Sequence, residues 1–435
     1  MSDEFSIECE WLSADLDDPA EASTTAEVSV AVDDEQLTRI FDPRTGEISE
    51  GTRLPTIGLA EGLVRGWWQL LYEPQRTADR QPRQNFEHRH RLDRFTAGYV
   101  FPPIGIWSGG ETAMVGLFKA DTRFQIQEFR LPTNFKPRPV ARGMLEAGLT
   151  AFVDSTLNRL QGSNWRGADL REDWDRLRDL VNSPDELEWC RNAGRLGLDP
   201  YDPDTIDLGN MSAGISEALF ADICEAVDLS DLHRACEWTR QATARLRHGP
   251  PISLKDFGGP PYRDLTFPGW RNGIDAVELL RQRLKLPMDP RQALRRLFDD
   301  PETGEADRVP EMASGAVEGV ARRENSEIRA TVPARSIKQK RFRTCRATYL
   351  GWRASSNTEI AITPAETWRQ QASRAFAAEL LAPAKLIKDR YGKTGLNRNS
   401  VERLSSEWLC PEQIIVHQAK NNEIVVKGVE HVAVF

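Results

Sequence analysis

The sequence of 435 residues lacks the apolar run of roughly 18 residues that a membrane-spanning helix requires. Its N-terminus, MSDEFSIECEW, is acidic and has neither the basic stretch nor the apolar core of a secretory signal peptide. With 40% hydrophobic and 28% charged residues, the composition is typical of a soluble globular protein. We therefore expect a cytoplasmic protein that makes no contact with a membrane.

Paired cysteines and the short glycine motifs of nucleotide-binding and hydrolytic enzymes are also missing. The six cysteines are scattered and form no CxxC pair, so the usual signature of a zinc ribbon or a thioredoxin-like site is absent. In a reducing cytoplasm we expect them to be free thiols. Neither a Walker A motif, nor GxGxxG, nor GxSxG occurs. The sequence therefore predicts no cofactor.

The spacing of apolar residues predicts an α+β architecture. Val28, Val30 and Val32 alternate with polar residues, which is the period of a half-buried strand. From Met144 to Leu160 the apolar residues follow the 3.6-residue period of an amphipathic helix. Two further extended segments are predicted at Ala113–Phe118 and Phe124–Leu131. We predict a strand-rich N-terminal domain (1–135), a helical middle domain (136–300), an acidic, glycine-containing surface linker (301–325) and a C-terminal domain (326–435).

The C-terminal domain contains the segment Gln371–Pro383, with the sequence QASRAFAAELLAP. It resembles the A-N-x-F-A-A-E-L-L-x-P helix of the ImmA/IrrE metallopeptidase family. Lys340–Thr344 (KRFRT) is similar to the R-F-T entry to the active-site helix of that family, and Val401–Gln418 is similar to its closing pair of helices. The resemblance covers about residues 328–435. It implies a zincin-like fold for this domain and a bacterial role in regulation, stress response or phage-related defence.

The chemistry of that family requires an HExxH helix, in which two histidines bind Zn²⁺ and the glutamate activates the metal-bound water. Counted on from Arg341-Phe342, this pentad falls on Arg346, Ala347, Thr348, Tyr349 and Leu350. The third ligand, usually an acid four or six residues before the phenylalanine of the motif, falls on Ala372 or Gln370. Glu379 belongs to the packing part of the motif. The resemblance therefore implies a degenerate site with no catalytic residues and no metal.

Two histidines form the one candidate for a different metal site. If the segment Glu87–Asp93 is a strand, His88 and His90 share one face and are placed to chelate a metal. Arg89 and Arg91 intervene, however, and favour a solvated helix face with ordinary packing histidines. The remaining histidines are predicted to be structural or surface residues.

Positive charge is concentrated between residues 335 and 353, whereas the first 50 residues carry 15 Asp and Glu against two Arg. The candidate binding residues are Lys340, Arg341, Arg343, Arg346 and Arg353. The interleaved Phe342, Tyr349 and Trp352 are typical of a surface that binds nucleic acid by stacking and charge. Alternatively, helical spacing buries the first two of these aromatic residues and leaves the arginines solvated, or the segment docks the acidic N-terminus. We favour the solvated face.

These observations predict a non-catalytic, ImmA/IrrE-like pseudo-peptidase that binds a protein partner in bacterial regulation or phage defence. A peptidase-like cleft without metal still offers a place for a protein segment, for example by strand addition. Two alternatives stay open. One is an active zinc endopeptidase that uses unrecognised ligands and cleaves a repressor or antitoxin-like partner. The other is a DNA- or RNA-associated factor that uses residues 335–353.

Overall fold

The computed structural model divides the chain into two compact units, residues 1–209 and 210–435. The N-terminal part is rich in strands and helices predominate after it, so the architecture is mixed α+β, as predicted. The structure describes residues 5–42, 45–76, 83–119, 135–160, 165–202, 207–248, 251–260, 262, 264–265, 267–298, 312 and 315–428. No helix within these ranges is both long and apolar enough to cross a membrane. The predicted strand Phe124–Leu131 lies outside them.

The first unit combines antiparallel sheets with helices. Its strands are β1 (Phe5–Trp11), β2 (Thr25–Val32), β3 (Glu35–Gln36), β4 (Ile40–Phe41), β5 (Ile48–Ser49), β6 (Thr52–Pro55), β7 (Ile104–Ser108), β8 (Thr112–Leu117) and β9 (Arg138–Ala141). Its helices are α1 (Pro19–Ser23), α2 (Thr56–Arg65), α3 (Trp67–Tyr72), α4 (Arg83–His90), α5 (Arg142–Arg159), α6 (Trp165–Asp179) and α7 (Pro184–Arg195). Strand β2 pairs with β1, β3 and β6, β4 pairs with β5, and β8 lies between β7 and β9.

The buried faces of β2 and α5 belong to one hydrophobic core. Val28, Val30 and Val32 are fully buried and the residues between them are partly exposed, which confirms the predicted strand. Phe152 of α5 is part of the same core. The predicted domain boundary at residue 135 therefore differs from the observed division, because an amphipathic helix needs the apolar face of a neighbouring element as its packing partner.

The second unit is built from helices and an antiparallel sheet. Helix α8 (Leu208–Ser212) spans the point of division. The following helices are α9 (Glu217–Ala226), α10 (Leu229–Ala244), α11 (Gly269–Leu284), α12 (Pro290–Phe298), α13 (Ile337–Arg353), α14 (Trp368–Leu381), α15 (Ala384–Tyr391), α16 (Arg398–Trp408) and α17 (Glu412–Asn421). The strands are β10 (Ile252–Ser253), β11 (Gly319–Glu324), β12 (Glu327–Thr331), β13 (Glu359–Ile362), β14 (Leu396–Asn397) and β15 (Val426–Lys427). The sheet has the order β10-β12-β11-β13, and β14 pairs with β15 in parallel.

Strand β11 lies inside the segment predicted as a surface linker, residues 301–325. Val320 and Ala321 are fully buried, and β11 pairs with β12 on one side and β13 on the other. The charged residues of this segment predicted a surface position. In the structure, however, Arg322 Nε donates a hydrogen bond to Glu359 Oε1 on the neighbouring strand at 3.2 Å. The linker prediction is therefore corrected for this strand. The part of the segment before residue 312 lies outside the described residues.

Helices α11, α13 and α14 pack closely enough to bring their side chains into one site. Gly273 on α11 faces α14, where an added Cβ would lie 2.2 Å from the Ala372 carbonyl oxygen. The rings of Tyr349 on α13 and Phe376 on α14 have centroids 5.3 Å apart. Phe376 is fully buried, as we expect for the apolar face of the FAAELL helix. Because α11 and α14 approach each other so closely at Gly273, the α11 residues on either side of it lie next to α14.

Candidate functional site

A cleft of about 800 Å³ lies within the second unit among helices α11, α13, α14 and α17. Its apolar wall includes Trp270, Ile274, Phe342 and Ile414. Its charged lining consists of Lys338, Arg343, Arg346, Arg374 and Glu318. A concave surface of this size, with an apolar wall and a few converging polar groups, is typical of a binding site.

Arg346 borders this cleft although its side chain is only 1% exposed. The guanidinium donates hydrogen bonds to Gln370 Oε1 at 2.7 Å and to Ser373 Oγ at 3.1 Å. It also donates to the Thr363 carbonyl at 2.5 Å and forms an ion pair with Glu318. Burial lowers the pKa of Arg346 to about 10, and the negative charge of Glu318 opposes this shift. The guanidinium is therefore a buried cation whose hydrogen bonds hold it in one place.

Arg346 and Gln370 stand at two of the positions at which the family resemblance predicts metal ligands. They are 24 residues apart in the sequence, yet the structure joins them directly by a hydrogen bond. The other residues of the degenerate pentad are buried and do not line the cleft: Ala347, Thr348, Tyr349 and Leu350. Ala372, the second candidate for the third ligand position, is fully buried against α11. Of the predicted positions, only the arginine and the glutamine therefore meet.

The histidine candidates for a metal site lie on helix α4 and not on a strand. Residues two apart on a helix point to different sides, and His88 is exposed whereas His90 is fully buried. The ring nitrogens of His90 lie 3.0 Å from Glu73 Oε2 and 2.5 Å from the Ile106 carbonyl oxygen. The alternative in which His88 and His90 share a chelating face on a strand is therefore wrong, and the favoured helix is observed. Within the described ranges, no three His, Cys, Asp or Glu side chains are grouped to hold a metal ion.

The basic segment forms helix α13, and most of its arginines are buried. Arg341 and Arg346 are each 1% exposed, and Arg343 is 7% exposed. Arg341 donates to the Trp408 carbonyl at 3.4 Å, and Arg343 donates to a backbone carbonyl and lies near Glu318. The expectation of a solvated arginine face is wrong for these three residues, because oxygen atoms from other parts of the chain accept hydrogen bonds from their guanidinium groups.

Two of the aromatic residues between these arginines are also inaccessible. Tyr349 is 0% exposed and Trp352 is 1% exposed, so neither offers a ring face on which a base could stack. Lys340 and Arg353 are partly exposed, and Phe342 is partly buried at the cleft. Tyr349 and Trp352 therefore cannot contribute to the stacking surface that the nucleic-acid alternative requires.

The outer edge of strand β13 is closed by side chains. This strand ends the sheet, and its inner edge pairs with β11. The Ala361 N–H donates to Asp222 Oδ2 at 2.8 Å, and the Ala361 carbonyl accepts from Gln370 Nε2 at 2.8 Å. Just beyond the strand, the Thr363 N–H donates to Gln370 Oε1 at 3.2 Å and the Thr363 carbonyl accepts from Arg346. A peptide could pair with this edge only by displacing these groups, so the expectation of strand addition does not apply here.

Several lining residues were not among the predicted site residues: Trp270, Glu318, Lys338, Arg374 and His417. One of them had a signal in the sequence, since Arg374 follows Gln370 by four residues and shares its helix face. Glu318 was assigned to a linker and Trp270 to general core packing. Neither has a local pattern that connects it to α13, because the connection arises only from the fold.

Comparisons with protein-family models, with curated proteins and with solved structures find no match for this chain. The resemblance to the ImmA/IrrE family therefore rests on its motifs. The function must be inferred from the geometry of the cleft.

Proposed function

We propose that the second unit is a non-catalytic, ImmA/IrrE-like pseudo-peptidase domain that binds a segment of a protein partner in its cleft. The observation that carries this proposal is the hydrogen bond between Arg346 and Gln370. In terms of the resemblance, a guanidinium–amide pair takes the place of the metal and two of its ligands. A guanidinium stays protonated at neutral pH and repels a dication. This arrangement favours binding over zinc-dependent catalysis.

The groups around Arg346 also oppose any rearrangement that would admit zinc. Glu318, Gln370 and Ser373 each direct an oxygen atom at the guanidinium. A buried charge is stable only while it is paired and hydrogen-bonded, and its partners are destabilised when it leaves. Freeing the site would break all of these interactions in a buried setting. The alternative of an active zinc peptidase is therefore less well supported.

The lining of the cleft suits a peptide that is recognised through its side chains. Trp270 is 50% exposed and, with Ile274, presents an apolar surface. Because the outer edge of β13 is closed, recognition would rely on side chains and not on backbone pairing. The bacterial regulatory or defence role is part of this proposal and is supported by the motif resemblance. The nucleic-acid alternative is not favoured, because Tyr349 and Trp352 are buried.

The experiment is selection of a random-peptide display library on the full-length chain. Peptides enriched on the parent protein should be lost on Ala378→Trp, because the indole fills the cleft from α14. They should be retained on Val425→Trp, which alters a residue that is 60% exposed and outside the cleft. Thermal melting confirms that both variants fold. Enrichment that Ala378→Trp leaves unchanged, an absence of enrichment on the parent, or zinc-dependent cleavage of the enriched peptides would overturn the proposal.

A further inference from the structure

The cleft carries more positive charge than its own carboxylate balances. Lys338, Arg343, Arg346 and Arg374 line it, and among the described residues of the lining Glu318 is the one acidic side chain. Glu318 already has two cationic neighbours. It forms an ion pair with Arg346, and its Oε1 atom lies 3.8 Å from Arg343 Nη2. One carboxylate therefore faces four cations.

Two of these cations have only neutral hydrogen-bond partners in the part of the chain that the structure describes. Arg374 donates to the backbone carbonyls of Ala365 at 3.0 Å and of Thr363 at 3.5 Å. Lys338 Nζ donates to Ser405 Oγ at 2.7 Å. Carbonyl and hydroxyl oxygens satisfy hydrogen bonds but do not neutralise a charge. Burial lowers the pKa of Arg374, although the negative charges of Glu318 and Glu366 oppose this shift.

An anion would stabilise this arrangement, because opposite charges attract strongly where water is partly excluded. A guanidinium can bind a carboxylate through two parallel N–H···O hydrogen bonds. The apolar wall at Trp270 and Ile274 belongs to the same cleft. An inorganic anion would leave that wall uncovered, whereas a peptide that carries both an acidic and an apolar side chain would contact both surfaces.

We infer that the cleft recognises an acidic segment of the protein partner. Asp or Glu side chains of that segment pair with Arg374 beside Thr363 and with Lys338 beside Ser405, and a neighbouring apolar side chain contacts Trp270 and Ile274. This inference rests on the proposed function and specifies the chemistry of the partner.

The test uses the peptides that the display selection enriches on the full-length parent chain. We expect Asp or Glu at one enriched position beside an apolar residue. In isothermal titration, replacing that acid by Gln or Asn should weaken binding to the parent by about tenfold to a hundredfold, the range of a charge-assisted hydrogen bond. In Arg374→Gln or Lys338→Gln, whichever removes the cation that pairs with that acid, the same replacement should change the affinity by less than about threefold, because the partner charge is gone.

Two further variants serve as controls, and Lys338→Gln serves as a second measurement. Arg374→Lys keeps the positive charge and should keep the preference for an acid. Lys393→Gln removes an exposed charge outside the cleft and should behave like the parent. Lys338 is partly exposed, so Lys338→Gln provides the measurement if Arg374→Gln does not fold.

Two outcomes separate this inference from the proposed function. Peptides that require an open cleft but show no preference for an acid would overturn the inference and leave the proposed function standing. A preference for acid that persists unchanged in both Arg374→Gln and Lys338→Gln would also overturn the inference. The absence of any cleft-dependent peptide would overturn the proposed function itself.

Discussion

Arg346 on α13 and Gln370 on α14 are joined by a hydrogen bond of 2.7 Å. Gln370 also accepts from the Thr363 N–H at 3.2 Å and donates to the Ala361 carbonyl at 2.8 Å. One buried glutamine thus connects the two helices to the last strand of the sheet. This cross-link lies where the motif resemblance expects a metal, which is why its removal is informative for both stability and function.

Replacing Arg346 by Met should lower the free energy of unfolding by about 3–5 kcal/mol, the cost of breaking a buried ion pair from one side. The loss arises because Glu318 and Gln370 would keep buried oxygens without their donor. Urea denaturation measures it. Arg398→Met is the matched control, since its ion pair with Glu402 is exposed and should contribute less than about 1 kcal/mol. Equal denaturation midpoints for Arg346→Met and the parent would contradict the structural role of the guanidinium.

The purified full-length chain should contain no stoichiometric zinc, because a guanidinium and an amide stand at the positions that the resemblance assigns to ligands. Elemental analysis after expression in zinc-supplemented medium measures this. A variant that restores the family pattern, with Arg346→His, Ala347→Glu, Leu350→His and Gln370→Glu, should bind zinc if the alignment of the motifs is correct. One tightly held zinc ion per parent chain would refute the pseudo-peptidase assignment.

Phe376→Ala should destabilise the second unit by about 3–5 kcal/mol, as a large-to-small change in a core does. Phe376 is fully buried and its ring packs against Tyr349. Val425→Ala serves as the control, because Val425 is 60% exposed and its truncation should cost less than about 0.5 kcal/mol. A melting temperature of Phe376→Ala within a degree of the parent would show that the FAAELL helix does not bury this face.

The buried carboxylate of Glu73 should make the first unit sensitive to acid. Burial disfavours its ionised form, but hydrogen bonds and charges from His90 and Arg89 outweigh burial and lower the pKa of Glu73 to about 2, from 4.5. The folded-state pKa lies below the unfolded value, so ionised Glu73 stabilises the fold above pH 4.5. This contribution, about 3 kcal/mol, is lost as the pH falls from 4.5 towards 2.

Stability measured as a function of pH tests this assignment. The difference in unfolding free energy between the parent and Glu73→Gln should be large at neutral pH and shrink below pH 4.5. Glu50→Gln removes an exposed ion pair with Arg39 and should change stability by less than about 1 kcal/mol. A Glu73→Gln difference that stays constant down to pH 2 would show that the depressed pKa does not contribute to folding.

The free protein should not bind a generic DNA or RNA duplex with sub-micromolar affinity at about 150 mM salt. Arg341, Arg343 and Arg346 are buried, so they cannot neutralise phosphates without unfolding part of α13. Fluorescence anisotropy with a labelled duplex measures the affinity. Tight binding that Lys340→Ala abolishes and that weakens steeply with salt would restore the nucleic-acid hypothesis.

Local periodicity in the sequence was sufficient for several elements. Strand β2 shows the predicted alternation of buried and partly exposed residues, and β8 (Thr112–Leu117) coincides to within one residue with the extended segment predicted at Ala113–Phe118. The burial of Phe376 follows from the spacing of apolar residues on one helix. In each case the pattern repeats within a few residues of the chain, so neighbouring positions alone contain the information.

The burial of the basic segment and the lining of the cleft were decided only by the tertiary structure. Arginine is usually exposed, so a run of arginines predicts a surface. Here Arg346 is buried because Glu318, Gln370 and Ser373 supply oxygen partners from segments 24 to 28 residues away. Trp270 reaches the same cleft from still further along the chain. The sequence by itself therefore determined the periodic elements, whereas long-range contacts decided which charges are buried, because burial of a charge depends on partners that no local pattern specifies.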